Sequence, residues 1–199
     1  GFLDDYAWSA LGLLKWGLLT DDNTCIDRSI AITDRLIKDF SDPEGGFWLS
    51  TAEHGKLPVR QRCEKDSAVP GSSAVVVRLL ANLLGAFPAD KNADAWKSHA
   101  TGTISRLGDS LKQRGPAYWS LLNSASELLN PWSVWHIHHD GTEPDEVSLL
   151  RANAGDCQLV NSSKNVHDGK DRGDSQWMAW QCEGMTCKSP TTNSSDLIW

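Results

Sequence analysis

No apolar run in this chain is long enough to cross a bilayer. The longest, Ala10–Leu14 and Ala74–Val77 with their neighbours, are broken by Gly, Lys or Arg, well short of the roughly 20 residues a spanning helix needs. The chain therefore reads as soluble, with no membrane partner. Basic charge is also scarce: 19 Lys and Arg stand against 26 Asp and Glu, a net charge of −7. No local basic patch offsets the deficit, so a general phosphate-backbone binder is excluded and no nucleic-acid partner is expected. Cysteine is sparse, at five residues: Cys25, Cys63, Cys157, Cys182 and Cys187. That is too few, and odd, for a disulfide-stapled scaffold of this length. No two of them are three apart, which removes the Cys-x-x-Cys redox motif. A reduced compartment, cytoplasmic by default, follows, and the sequons at Asn161 and Asn193 matter only on a secretory path. Neither an initiator Met nor a signal-peptide layout opens the chain, and the first residues run straight into a helical pattern. The chain is expected to be cut from something longer.

What the chain has in excess is tryptophan, ten in 199 residues. Indole rings fill cores and also stack on flat ligands such as sugar faces. Leu3, Tyr6, Ala7, Ala10, Leu13, Leu14 and Leu18 recur at the spacing of one helix face, with Asp4 and Asp5 in the first turn. A second helix follows Thr20–Asn23 on Ile26, Ile30, Thr33, Leu36, Ile37 and Phe40, and Asp42-Pro43-Glu44-Gly45-Gly46 stops it. Phe47–Thr51 and Leu57–Arg62 read as a small hairpin. Helices are expected over about 72–87, 93–113 and 117–129, ended by Pro88, by Gly115-Pro116 and by Asn130-Pro131. Beyond residue 131 the character changes: Ser133–His139 and Gln176–Cys182 are strand-like, Glu143–Arg151 is a short helical turn, and 161–174 is a polar loop.

The candidate chemistry lies in acids and aromatics. Asp4 and Asp5 point about 100° apart on a helix, so one can face a cavity while the other caps. Glycoside chemistry needs two carboxylates, roughly 5–5.5 Å apart for retention or 6.5–9.5 Å for inversion, and Asp66 is the natural second. The competing reading makes the helix-start acids caps and gives Asp66 an ion pair with Arg60, six residues earlier. Trp48, beside these acids in sequence, is the better stacking surface, whereas Trp8 and Trp16 are expected to be buried between helices. His136-x-His138-His139 alternates across a strand and lacks zinc-knuckle spacing, so an edge strand with solvated histidines is expected, with no metal and no cofactor. Cys182 and Cys187 either form a local disulfide or stay as buried thiols.

Phe2-Leu3-Asp4-Asp5-Tyr6-Ala7, Asp42-Pro43-Glu44-Gly45-Gly46-Phe47, Arg60 with Asp66, Ala68-Val69-Pro70-Gly71-Ser72-Ser73 and the ending Cys182-x4-Cys187-x-x-Pro190 occur in an order that resembles one family. It is that of the spermatogenesis-associated, thioredoxin-domain-containing proteins and their bacterial relatives. The resemblance implies a toroid of paired helices, similar to six-hairpin glycosidases and N-acylglucosamine 2-epimerases, that follows a thioredoxin-like domain lying outside this chain. The expected fold is mostly α: antiparallel helical hairpins over 1–131 forming part of an α/α toroid, then a small α+β segment over 132–199. The implied function is carbohydrate-directed, hydrolase or epimerase, with Asp4, Asp5 and Asp66 as catalytic candidates and Tyr6, Trp48 and Arg60 as substrate-binding ones. The expected partners are a carbohydrate ligand and the thioredoxin-like domain. A non-catalytic binding scaffold beside that redox domain is the rival. Where the family usually carries Glu-Pro-Ser-Gly-Asn this chain has Val69-Pro70-Gly71-Ser72-Ser73, so an acid and an amide are missing from that loop.

Overall fold

A computed structural model describes residues 1–20, 22–53, 59–130, 132–141, 144–153, 158–164, 176–183 and 186–197. The helical part begins with α1 (Leu3–Thr20) and α2 (Asn23–Phe40), followed after a long connection by α3 (Ser72–Ala86), α4 (Ala93–Arg106), α5 (Gly108–Arg114) and α6 (Trp119–Leu129). The C-terminal part holds β1 (Ser133–His139), α7 (Asp145–Asn153), β2 (Gln158–Lys164), β3 (Trp177–Glu183) and the two-residue β4 (Thr186–Cys187). The protein is mostly α with a small β element. Among the described residues no helix is long and apolar enough to cross a membrane.

Antiparallel pairing of α1 with α2 follows from their tight turn, where Asp22 accepts the N–H groups of Thr24 and Cys25 as N-cap. Helix α3 packs against α1, α4 and α6. It is correspondingly apolar on nearly every side, with Ala74, Val75, Val76, Val77, Leu79, Leu80 and Leu83 all buried. Polar groups inside this layer are bonded to backbone: the Ser29 hydroxyl donates to the Ala10 carbonyl at 2.7 Å and that of Ser124 to Ala74 at 3.0 Å. The segment expected as one helix over 93–113 is two, divided at the buried Leu107, with Gly108 opening the second. The next helix starts at Trp119 after a 3₁₀ turn over Gly115–Tyr118, with Pro116 near its start, where a missing N–H costs nothing.

The expected hairpin over 47–62 is not a ladder among the described residues, and 54–58 lie outside them. Instead Ser41 bridges Phe47, Phe2 bridges Ser50, and the Leu49 N–H donates to the Gln61 carbonyl at 2.7 Å. Trp8 and Trp16 are not buried between helices: they are 47% and 57% exposed. Ala7, Ala10, Leu11 and Leu14 carry that packing, and Trp8 lines a cleft beside α3 instead.

The sheet order is β2-β1-β3-β4, with β1 parallel to β2 and antiparallel to β3. Strand β1 is thus interior rather than an edge, and none of its three histidines is fully exposed. His138 is buried and His136 half-buried, and both rings pack on Trp180, stacked at 5.4 Å for His136 and edge-on at 4.6 Å for His138. One face of the sheet packs Trp135, Ile137 and Ala179 against Val147 and Leu150 of α7 and against Leu197. Strand β2 takes in 161–164, within the stretch read as loop, while 165–175 lie outside the described residues. Trp132 joins the two parts: it sits so close to α3 that a Cβ on Gly85 would meet its indole at 2.1 Å, and the Lys15 ammonium lies 5.4 Å from the ring centre.

Candidate functional site

Of the sequence-predicted residues, Trp48, Arg60 and Asp66 lie on the long connection between α2 and α3, and Asp4, Asp5 and Tyr6 lie in the first turn of α1. The connection opens with a turn built by Asp42, whose carboxylate accepts the Glu44 N–H at 2.9 Å and whose backbone bonds Gly45 and Gly46. Gly45 and Gly46 adopt φ of +96° and +81°, a region open to glycine at little cost. A side chain at Gly45 would also strike the Gly102 carbonyl at 2.8 Å, so this turn lies directly on α4.

Three arginines lock the connection to its surroundings. Arg62 forms an ion pair with the buried Asp42 and donates to the Gly45 carbonyl at 3.2 Å. Arg106, from α4, pairs with Glu64. Arg60 donates to the Ser50 carbonyl at 2.5 Å. The Arg62 and Arg60 guanidinium carbons also lie 3.9 and 5.0 Å from the centre of the Trp48 ring, a cation–π arrangement. Burial pushes all three guanidinium pKa values down, and the neighbouring Arg106 adds to the effect on Arg62. Arginine stays charged regardless. Trp48, expected as an open sugar platform, already carries a guanidinium on its π-face.

Asp66 does not pair with Arg60. Its two carboxylate oxygens accept backbone N–H groups, Gly71 at 2.9 Å and Ser120 at 2.8 Å, while its own N–H donates to the Ala117 carbonyl at 2.9 Å. Ser120 lies in the first turn of α6, so Asp66 places a negative charge at that helix's positive end from 54 residues away. Asp5 accepts the Phe2 N–H at 2.9 Å, as a cap does. Asp4 is half-buried, and among the described residues no hydrogen bond or ion pair engages its carboxylate. Tyr6 is half-buried, with its ring 5.2 Å from that of Phe40. Of the three candidate carboxylates, only Asp4 is uncommitted to backbone.

Sequence reasoning missed two groups. Glu127, buried on α6, holds Arg78 at 2.7 Å and accepts from the Asn82 amide at 3.1 Å. Arg78 lines a cleft of about 70 Å³ with Trp8, Pro70, Ser120 and Asn123, beside the Asp66 clasp. The lone Glu127 within an apolar helix face was the available signal. The second is a larger cavity of about 470 Å³ at the sheet, bounded by Trp135, Trp180, Gln181 and Lys188. The Cys182–Cys187 disulfide closes the adjacent β3–β4 pair.

This chain is similar to Spermatogenesis-associated protein 20. It is 23% identical to that protein of Homo sapiens over 99% of the chain, and 34% identical to the one of Mus musculus over 42% of it. That of Rattus norvegicus is 33% identical over 43%. The chain spans 27% of the length of the human relative, and no family model matches it.

Proposed function

We propose that this chain is a non-catalytic binding scaffold: part of a carbohydrate-directed α/α toroid of helical hairpins that accompanies a thioredoxin-like redox domain in a longer protein. One observation carries the choice of binding over catalysis. Both oxygens of Asp66 are occupied by backbone N–H groups of Gly71 and Ser120. A general acid must aim a proton at the leaving group and a nucleophile a lone pair at the substrate, whereas these two donors orient the Asp66 carboxylate toward the backbone of its own connection and of α6. With Asp5 capping α1 as well, two-carboxylate chemistry retains only Asp4 from its own list. The toroid reading is supported by the pairing of neighbours, in which α3 packs against both α1 and α6 while α2 packs on α1 and α4 on α3. The similarity to a relative several times longer supports the placement within a larger protein. Epimerisation needs a base able to take a carbon-bound proton, commonly His; His54, within the connection, lies outside the described residues, and the His99 ring of α4 lies 6.0 Å from that of Phe47.

The test is a sugar panel read by reducing-sugar release and by tryptophan fluorescence. Quenching without turnover is expected. Turnover that Asp4→Asn abolishes, with unfolding unchanged, overturns the scaffold reading in favour of hydrolysis.

A further inference from the structure

The outer edge of β3 carries an irregularity that the helical part does not explain. Lys188 N–H donates to the Gln181 carbonyl at 2.8 Å, continuing the register of Cys187 opposite Cys182. Three residues later Thr191 and Ala179 exchange backbone bonds of 2.7 and 2.8 Å. Ser189 and Pro190 therefore stand opposite the single residue Trp180, the two-against-one count of a β-bulge. Pro190 has no N–H to offer the ladder, which suits it to that place. Bulges re-aim side chains and end pairing, and they concentrate beside functional sites.

The cavity of about 470 Å³ opens at this bulge, within the roughly 300–1,000 Å³ usual for small-molecule sites. Trp135 and its register partner Gln181 lie on the face that packs Leu197, and Lys188, Ser189 and Thr191 belong to the bulged margin, so the cavity runs from that face to the sheet edge. Its polar groups are already oriented. Gln181 donates to the Ser133 hydroxyl at 2.6 Å and accepts from the Lys188 ammonium at 2.5 Å. Across the mouth Asp196 accepts the Thr191 hydroxyl at 2.5 Å. One cation and one anion cancel, so nothing selects a phosphate or another multiply charged ion. An amide, a carboxylate and an ammonium beside indole surface match a neutral ring that has hydroxyls on its rim and C–H groups on its face.

We propose that this edge cavity binds a small neutral polyhydroxylated ring, a monosaccharide or a cyclitol. The inference shares its ligand class with the scaffold reading, but it places the ligand on the C-terminal sheet, away from the connection that holds Trp48 and Asp66. The disulfide between Cys182 and Cys187 fixes the strand pair that presents Gln181 and Lys188, so reducing it should weaken binding without abolishing the fold.

The measurement is an NMR titration of the chain with D-glucose, N-acetyl-D-glucosamine and myo-inositol, following the assigned indole N–H signals. Saturable shifts of Trp135 and Trp180 are expected for at least one of the three, with Kd near 1 mM, about −4 kcal/mol. Lys188→Ala and Asp196→Ala, both at exposed positions, should weaken that binding by roughly tenfold while the thermal midpoint stays put. Ser189→Phe, which fills the mouth and removes no polar contact, should abolish it. Shifts confined to the exposed Trp16 and Trp119, binding unaltered in Ser189→Phe, or no saturable shift with any of the three overturns the site. A sugar that moves only the Trp48 signal overturns the site but leaves the scaffold reading standing. Turnover in the sugar panel does the reverse.

Discussion

Removing the Asp66 carboxylate should cost stability rather than chemistry. The side chain accepts two backbone N–H groups, from the buried Gly71 at 2.9 Å and from the first turn of α6 at 2.8 Å. Hydrogen bonds to a charged group are worth about 1.5–3 kcal/mol each, and an abandoned buried donor costs about 1–3 kcal/mol. Asp66→Ala removes both acceptors together, and water can reach part of the half-buried site, so a loss of about 2–4 kcal/mol is expected. Asp66→Asn keeps one carbonyl acceptor but turns an amide NH₂ toward the other N–H donor, for a loss of about 1–3 kcal/mol. Urea unfolding followed by far-UV circular dichroism reads both, and the midpoint should fall without a change in slope. The α6 terminus should also lose amide-exchange protection before α1 and α2 do. Any sugar binding at the sheet edge should survive. An Asp66→Asn protein as stable as the parent within about 0.5 kcal/mol, yet deficient in a sugar-dependent activity, would refute the clasp and return Asp66 to the chemistry.

Gly85→Ala should destabilise by about 2 kcal/mol or more and loosen the junction of the two parts, since the added carbon would sit 2.1 Å from the Trp132 indole; the Trp132 emission maximum and the thermal midpoint check it. Glu127→Ala should cost about 3 kcal/mol, because Arg78 and Asn82 lose a buried anion, whereas the double variant Glu127→Ala with Arg78→Ala should recover part of that in a mutant cycle. His99 lies 6.0 Å from the Phe47 ring and burial lowers its pKa, so the unfolded chain binds a proton that the folded one resists. Stability from this source is fully present above the unfolded pKa of about 6.5 and is lost as pH falls through it toward the folded value. His99→Leu should flatten that acid limb in urea midpoints taken across the range, and an unchanged slope would sink the assignment.

The helical pattern was legible because it is local. Apolar spacing at 3.6 residues, an acidic first turn, the Asp42-Pro43-Glu44-Gly45-Gly46 stop and the prolines beyond α3, α5 and α6 act within a few neighbours, and so α1, α2, α3 and the mostly α class follow from the residues alone. Strand β1 was equally readable from Ser133 to His139, where bulky and β-branched residues gather. The break at Leu107 was passed over, although Gly108, a poor helix former, follows it directly.

Partners distant in sequence were decided only by the tertiary structure. Proximity suggested Arg60 for Asp66, but Arg60 turns to Ser50 and Trp48, and the clasp comes from Ser120 in another helix. Charge type states that an acid wants a donor; only the packing of α6 against α3 says which donor arrives. The same limit governs the histidines, expected solvated on an edge, where pairing of β1 with β3 brings Trp180 over His136 and the buried His138. Alternation along a strand assigns its two faces and leaves open what covers its margins. It governs Trp8 and Trp16 too, since an amphipathic helix with aromatics on two sides buries the side its neighbours reach, and those neighbours are placed by chain topology rather than by the helix itself.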